Sequence, residues 1–82
     1  MTRPGRPVVV VGDVGMDVVA RPGGPITHGS DTPAQVTMRP AGAGANTAAA
    51  LAAYGLEVTL LARVGDDLAA RECRARLEDA GV

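Results

Sequence analysis

Two carboxylates and one glycine-rich turn carry the chemistry in this chain. Asp13 and Asp17 follow the apolar run Pro7–Val11 and its closing Gly12. Further on, Pro40-Ala41-Gly42-Ala43-Gly44-Ala45-Asn46-Thr47 leads into an alanine-rich segment. Gly42 and Gly44 lack a Cβ, so the backbone there can take positive φ and a ligand can come close. A helix starting at the turn aims its unpaired N–H groups and its positive dipole end at whatever sits there. Asn46 lies in the first turn, where its side chain leans back toward the same spot. A carboxylate accepts two hydroxyl hydrogen bonds, and an amide both donates and accepts. The set suits a polar, oxygen-rich ligand. The competing reading is a tight turn and a small-residue helix that packs closely on a sheet. Asp13 reads as a turn residue beside Gly12. Asp17, set between Met16 and Val18-Val19, is the stronger candidate.

The elements that must position these residues follow from pattern. Residues 1–6 are polar and read as a frayed start. Pro7–Val11 reads as a strand buried on both faces, as in a parallel sheet. In open α/β sheets, ligands bind beyond the carboxyl ends of strands, which is where Asp13 and Asp17 fall. No helix is plausible from Val18 to Pro40. Val18–Ala20 is extended, Arg21–Pro25 turns, and Gln35–Arg39 alternates as a half-exposed strand. This stretch looks like a small flap inserted after the first strand. Gly44–Tyr54 reads as a helix stopped by Gly55. Leu56–Val64 reads as a second buried strand. Asp66 is the expected N-cap of a last helix, with Ala70, Cys73, Leu77 and Ala80 as its apolar stripe. Glu72–Arg76 and Arg74–Glu78 are i,i+4 pairs on its wet face. Gly81 caps that helix, and Val82 would open a further strand.

Composition narrows the class. The chain has 82 residues and a formal charge of −1, with eight basic residues that are all Arg. That charge argues against nucleic acid or an anionic membrane as partner. Alanine supplies 15 residues, and Tyr54 is the only aromatic. Burying alanine contributes little, whereas a Leu or Phe contributes roughly 1.5–3 kcal/mol. The core is therefore expected to be thin for an independent domain. Single Cys73 and single His28 offer no disulfide framework and no metal-ligand spacing. No apolar run approaches a membrane span, and no signal-peptide core is visible. A cytoplasmic location is the expectation.

Known phosphate-binding turns fit poorly. A dinucleotide fingerprint wants Gly or Ala where Thr47 stands, and a P-loop needs a Lys that the chain lacks. The order Val-Val-Gly-Asp-x-x-x-Asp, flap, Gly-Ala-Gly-Ala-Asn-Thr-Ala-x-x-Leu-Ala-x-x-Gly, strand and Val-Gly-Asp-Asp resembles the N-terminal part of ribokinase-like, PfkB-type carbohydrate kinases. The resemblance runs from Val8 to Val82. It implies an α/β fold: a ribokinase-like three-layer arrangement with a mostly parallel sheet and an inserted β-lid, incomplete as given. Residues 1–82 would be a partial kinase domain, with 17–40 as the β-lid segment and 44–82 as helix–strand–helix.

The resemblance also implies transfer of the ATP γ-phosphoryl group to a hydroxyl of a sugar or nucleoside, with Mg²⁺. Asp17 matches the aspartate that holds sugar hydroxyls. Gly42 falls in the glycine pair that hinges the lid, Asn46 matches a substrate-contacting asparagine, and Gly15 and Gly44 line the same site. Gly15 stands where ribokinases often carry a sugar-contacting Asn, Ala41 replaces the first glycine of the pair, and Ala43 occupies a variable position. These departures leave the sugar open. The resemblance places the catalytic base and the ATP site beyond Val82, with no metal site in this stretch. A homodimer through the β-lid is compatible with it. The alternative is a non-catalytic interaction module or truncated gene product, pairing through its flap edge. The chain of 82 residues alone is expected to lack kinase activity; sugar-dependent ADP formation by the purified chain would contradict this.

Overall fold

The computed structural model describes residues 6–82, so the polar start from Met1 to Gly5 lies outside the described residues. β1 (Val8–Val11) and β4 (Val58–Leu61) form a parallel pair, with Val8 opposite Val58 and Val11 opposite Leu61. β2 (Gly15–Pro22) and β3 (Ala34–Ala41) form a separate antiparallel ribbon. α1 (Ala43–Ala53) leaves the ribbon directly, and α2 (Leu68–Asp79) follows β4. The class is mixed α/β, as expected, with the flap resolved into a ribbon of two eight-residue strands.

Alanine explains α1. It is the best helix former, because it gives up no side-chain entropy. Gly44, Ala45 and Ala48 are its buried residues, and their small size lets the helix backbone approach β1 and β4. Both helices end in the same way. Leu56 N–H donates to the Leu51 carbonyl at 3.3 Å and Gly55 N–H to Ala52 at 2.9 Å, with Gly55 at φ 85°. Val82 and Gly81 repeat that pattern onto Leu77 and Glu78, with Gly81 at φ 95°. Both ends are Schellman motifs, in which a left-handed glycine satisfies the last carbonyls.

Three sequence expectations need correction. β4 is four residues long, not the span 56–64, because its only ladder partner is the four-residue β1. The parallel pair is not buried on both faces. Val8, Val10, Val58 and Leu60 are covered or half covered, but Val9 is 58% exposed and Val11 80%. A parallel sheet reads as uniformly apolar because both faces expect cover; here one face has it. The N-cap of α2 is Asp67, not Asp66. Asp67 is extended and its Oδ1 accepts from Ala70 N–H at 2.8 Å, while the exposed Asp66 meets Arg71 instead, at 3.4 Å. The two i,i+4 pairs on α2 form as read, at 3.0 and 2.9 Å.

α2 does more than flank the sheet. Cys73 Sγ donates to the Gly15 carbonyl at 3.4 Å, and Arg76 Nη1 donates to the Met38 carbonyl at 2.6 Å. The helix thereby holds both strands of the ribbon. Cys73 and Leu77 are its buried residues, whereas Ala80 is exposed at the cap. Among the described residues the buried hydrophobic ones are Ala45, Ala48, Val58, Cys73 and Leu77, and no large side chain is fully enclosed. The radius of gyration is 16.5 Å, against roughly 12 Å for a compact chain of this size. The ribbon projects, and the core is as thin as the composition implied. Residues 1–82 purified alone are therefore expected to self-associate through the uncovered face of Val9, Val11 and Leu61. Light scattering and a thermal melt check this; a monomer with a cooperative transition would contradict it.

Candidate functional site

The turn after β1 and the start of α1 meet backbone to backbone. Asp13 Oδ1 accepts from Gly44 N–H at 3.1 Å, and the Asp13 carbonyl accepts from Ala45 N–H, also at 3.1 Å. Asn46 N–H closes the first helical bond onto the Gly42 carbonyl at 2.9 Å. The glycines are there for this approach. A Cβ on Gly44 would lie 2.7 Å from Asp13 N and 2.8 Å from Asp13 O. One on Gly12 would lie 2.7 Å from Gly44 Cα. Gly42 has φ 99°, which disfavours any side chain, and its Cβ would lie 2.8 Å from Asp13 O.

This changes the reading of the glycine turn. The close approach it allows is made by the chain's own backbone. Gly42, the N-cap, offers no side-chain cap, and α1 has no acidic residue in its first turn. Asp13 supplies that carboxylate from 31 residues away. Hydrogen bonds from the backbone, Gly44 first, hold its pKa below the usual carboxylate value. The Gly44 and Ala45 amides are thus already engaged.

The candidate residues fall around this junction. Gly15 opens β2 opposite Ala41, two residues along the chain from Asp13, which Gly42 and Gly44 face. Asp17 lies two residues out along β2, opposite Arg39 on β3. Side chains alternate along a strand, so Asp17, Val19 and Arg21 share one ribbon face with Arg39, Thr37 and Gln35. Met16, Val18 and Ala20 share the other with Pro40, Met38 and Val36. Asp17 Oδ2 is 4.0 Å from Arg39 Nε, with the two side chains 53% and 69% exposed. Such a pair contributes about 0–1 kcal/mol, so Asp17 remains free to take other partners. Asn46 is exposed in the first turn of α1. An open cleft of about 270 Å³ touches Gly15, Arg63 and Asp67 but neither Asp17 nor Asn46. A larger one, about 370 Å³, separates β4 from α2.

Sequence reasoning missed three residues. Asp13 looked like a turn former, although two glycines unable to bear a Cβ were the signal of a close contact. Arg39 needed the ribbon register, which is centred on His28. Arg76 looked committed to Glu72 alone.

The sequence profile of the pfkB family carbohydrate kinases matches residues 6–82. The chain belongs to the pfkB family. No curated protein matches it.

The junction makes a packing prediction. Gly44→Ala is expected to destabilise the natural gene product by about 1–3 kcal/mol, as overpacking does. Gly24, where a Cβ meets nothing within 4 Å, is the control, and Gly24→Ala should stay within about 0.5 kcal/mol. Denaturant melts compare them; equal stabilities would show that the contact relaxes freely.

Proposed function

We propose that this chain supplies the sugar-binding side of an ATP-dependent carbohydrate or nucleoside kinase. The observation that supports the reading is the match of residues 6–82 to the pfkB family carbohydrate kinases, with Asp17 on β2 and Asn46 in the first turn of α1. Asp17 would accept hydrogen bonds from two hydroxyls of the acceptor, and Asn46 would donate and accept beside it. Gly15, where a Cβ would meet nothing within 4 Å, would leave room for the ring, and Gly42 and Gly44 would hold α1 at the right depth. Residues 17–40 would act as a lid, since closure excludes water from phosphoryl transfer.

Kinases of this family use ATP and Mg²⁺. Among the described residues no group of three His, Cys, Asp or Glu could hold a metal ion. No step is assigned to Mg²⁺. The contribution of this chain is to bind and orient the acceptor hydroxyl, on which phosphoryl transfer depends as much as on charge. No described helix is long and apolar enough to cross a membrane. Pairing as a homodimer through the ribbon would cover its apolar face, where Val18, Val36 and Met38 are 63%, 58% and 48% exposed.

Asp17→Ala tests the reading. A hydrogen bond to a charged group contributes roughly 1.5–3 kcal/mol. The variant of the natural gene product is therefore expected to bind sugar about tenfold to a hundredfold more weakly. Nucleotide affinity should stay unchanged. If Asp17 holds only the ground-state sugar, KM rises alone; if it also orients the attacking hydroxyl, kcat falls too. A wild-type sugar KM at native stability would make Asp17 a solvated ribbon residue.

A further inference from the structure

We propose that Asp13 is the positioning residue that sets the spacing between Asp17 and Asn46. The proposal rests on the sugar-binding reading of those two residues. Asp17 sits on β2 and Asn46 on α1, elements separated in sequence by the whole ribbon. The short path between them runs from Asp17 through Gly15 and Val14 to Asp13, crosses to Gly44 and Ala45, and ends at Asn46. Both hydrogen bonds at that crossing are made by Asp13: one by its carboxylate, the other by its carbonyl.

The geometry leaves little slack. Missing Cβ atoms on Gly12, Gly42 and Gly44 bring the two backbones within contact distance. Nothing else in the first turn of α1 caps it. The ladder of the ribbon begins beside the crossing, at Gly15 and Ala41. The crossing therefore fixes the roots of both ribbon strands and the start of α1 together. Ribbon movement that closes over a sugar pivots beyond Gly15 and Ala41, while Asn46 stays seated.

Removing the carboxylate frees the Gly44 amide and lets α1 shift along its axis. Small misplacements of positioning groups cost rate and affinity out of proportion to their size. The test uses the natural gene product with Asp13→Ala and Asp13→Asn. Sugar and nucleotide are varied separately, and amide hydrogen exchange is followed at Gly44 and Ala45. Asp13→Ala is expected to speed exchange at Gly44 and raise sugar KM about tenfold to a hundredfold, with nucleotide KM unchanged. Asp13→Asn, which keeps an acceptor oxygen in place, is expected to restore most of both. Should Asp13→Ala fail to fold, Asp13→Glu carries the test. Its carboxylate is one methylene longer, so the cap persists at altered spacing and sugar KM alone should rise. Faster exchange with a wild-type sugar KM would overturn the positioning role and leave a purely structural cap. Unchanged exchange would overturn the clamp itself. A wild-type protein that phosphorylates no sugar would overturn the kinase reading and, with it, the positioning role.

Discussion

The hydrogen bond from Gly44 N–H to the Asp13 carboxylate holds together the parts of this chain that matter. It joins the end of the parallel pair, the root of the ribbon and the start of α1. Few other contacts are available for that task. Among the described residues the buried core is five small or medium side chains, so burial alone cannot fix how α1 sits. A charge-assisted bond at a helix N-terminus is directional where alanine packing is not. The glycines around it are the condition for the bond, because any Cβ there would hold the backbones apart.

Ligand chemistry at the junction follows from that arrangement. With Gly44 and Ala45 amides engaged by Asp13, the helix end presents little unspent positive character. Exposed side chains near it include a carboxylate, an amide and a guanidinium: Asp17, Asn46 and Arg39. The contrast with a P-loop is physical. There, free backbone amides cradle the anion; here, the equivalent amides are closed off by the protein.

Element order was legible in the sequence, and so were the helix stops. Gly55 and Gly81 act as stops because only glycine takes the left-handed position cheaply. The strands were legible in type but not in extent or exposure. Leu56–Val64 is apolar throughout, yet only the four residues facing β1 form a ladder. Nothing local to the run reveals how long its partner is. Asp66 and Asp67 are chemically equal as caps, and the choice between them depended on where the backbone turned extended. The site was half legible. Gly42, Gly44 and Asn46 announce a tight turn into a helix, but what approaches the glycines is a long-range fact. Asp13 and Gly44 are far apart in sequence, and no periodicity connects them. Arg39 and Arg76 were likewise invisible, because one depends on ribbon register and the other reaches across to Met38.

The alternation of the ribbon has an evolutionary consequence. Its polar face carries Asp17 and Arg39, and its apolar face carries Val18 and Met38. Inserting one residue within either strand would turn every side chain beyond it to the opposite face. Asp17 would land among the aliphatic residues, and the pairing back to Ala41 would shift. Length variation inside β2 or β3 is thus tolerable only in steps of two. The loop from Gly23 to Pro33 has no such parity. Its Thr27 N–H is held locally by Thr32 Oγ1 at 2.8 Å, and residues added there move neither face. Divergence in the length of this segment between relatives should accumulate in that loop, while the strands that carry the polar pair keep their count.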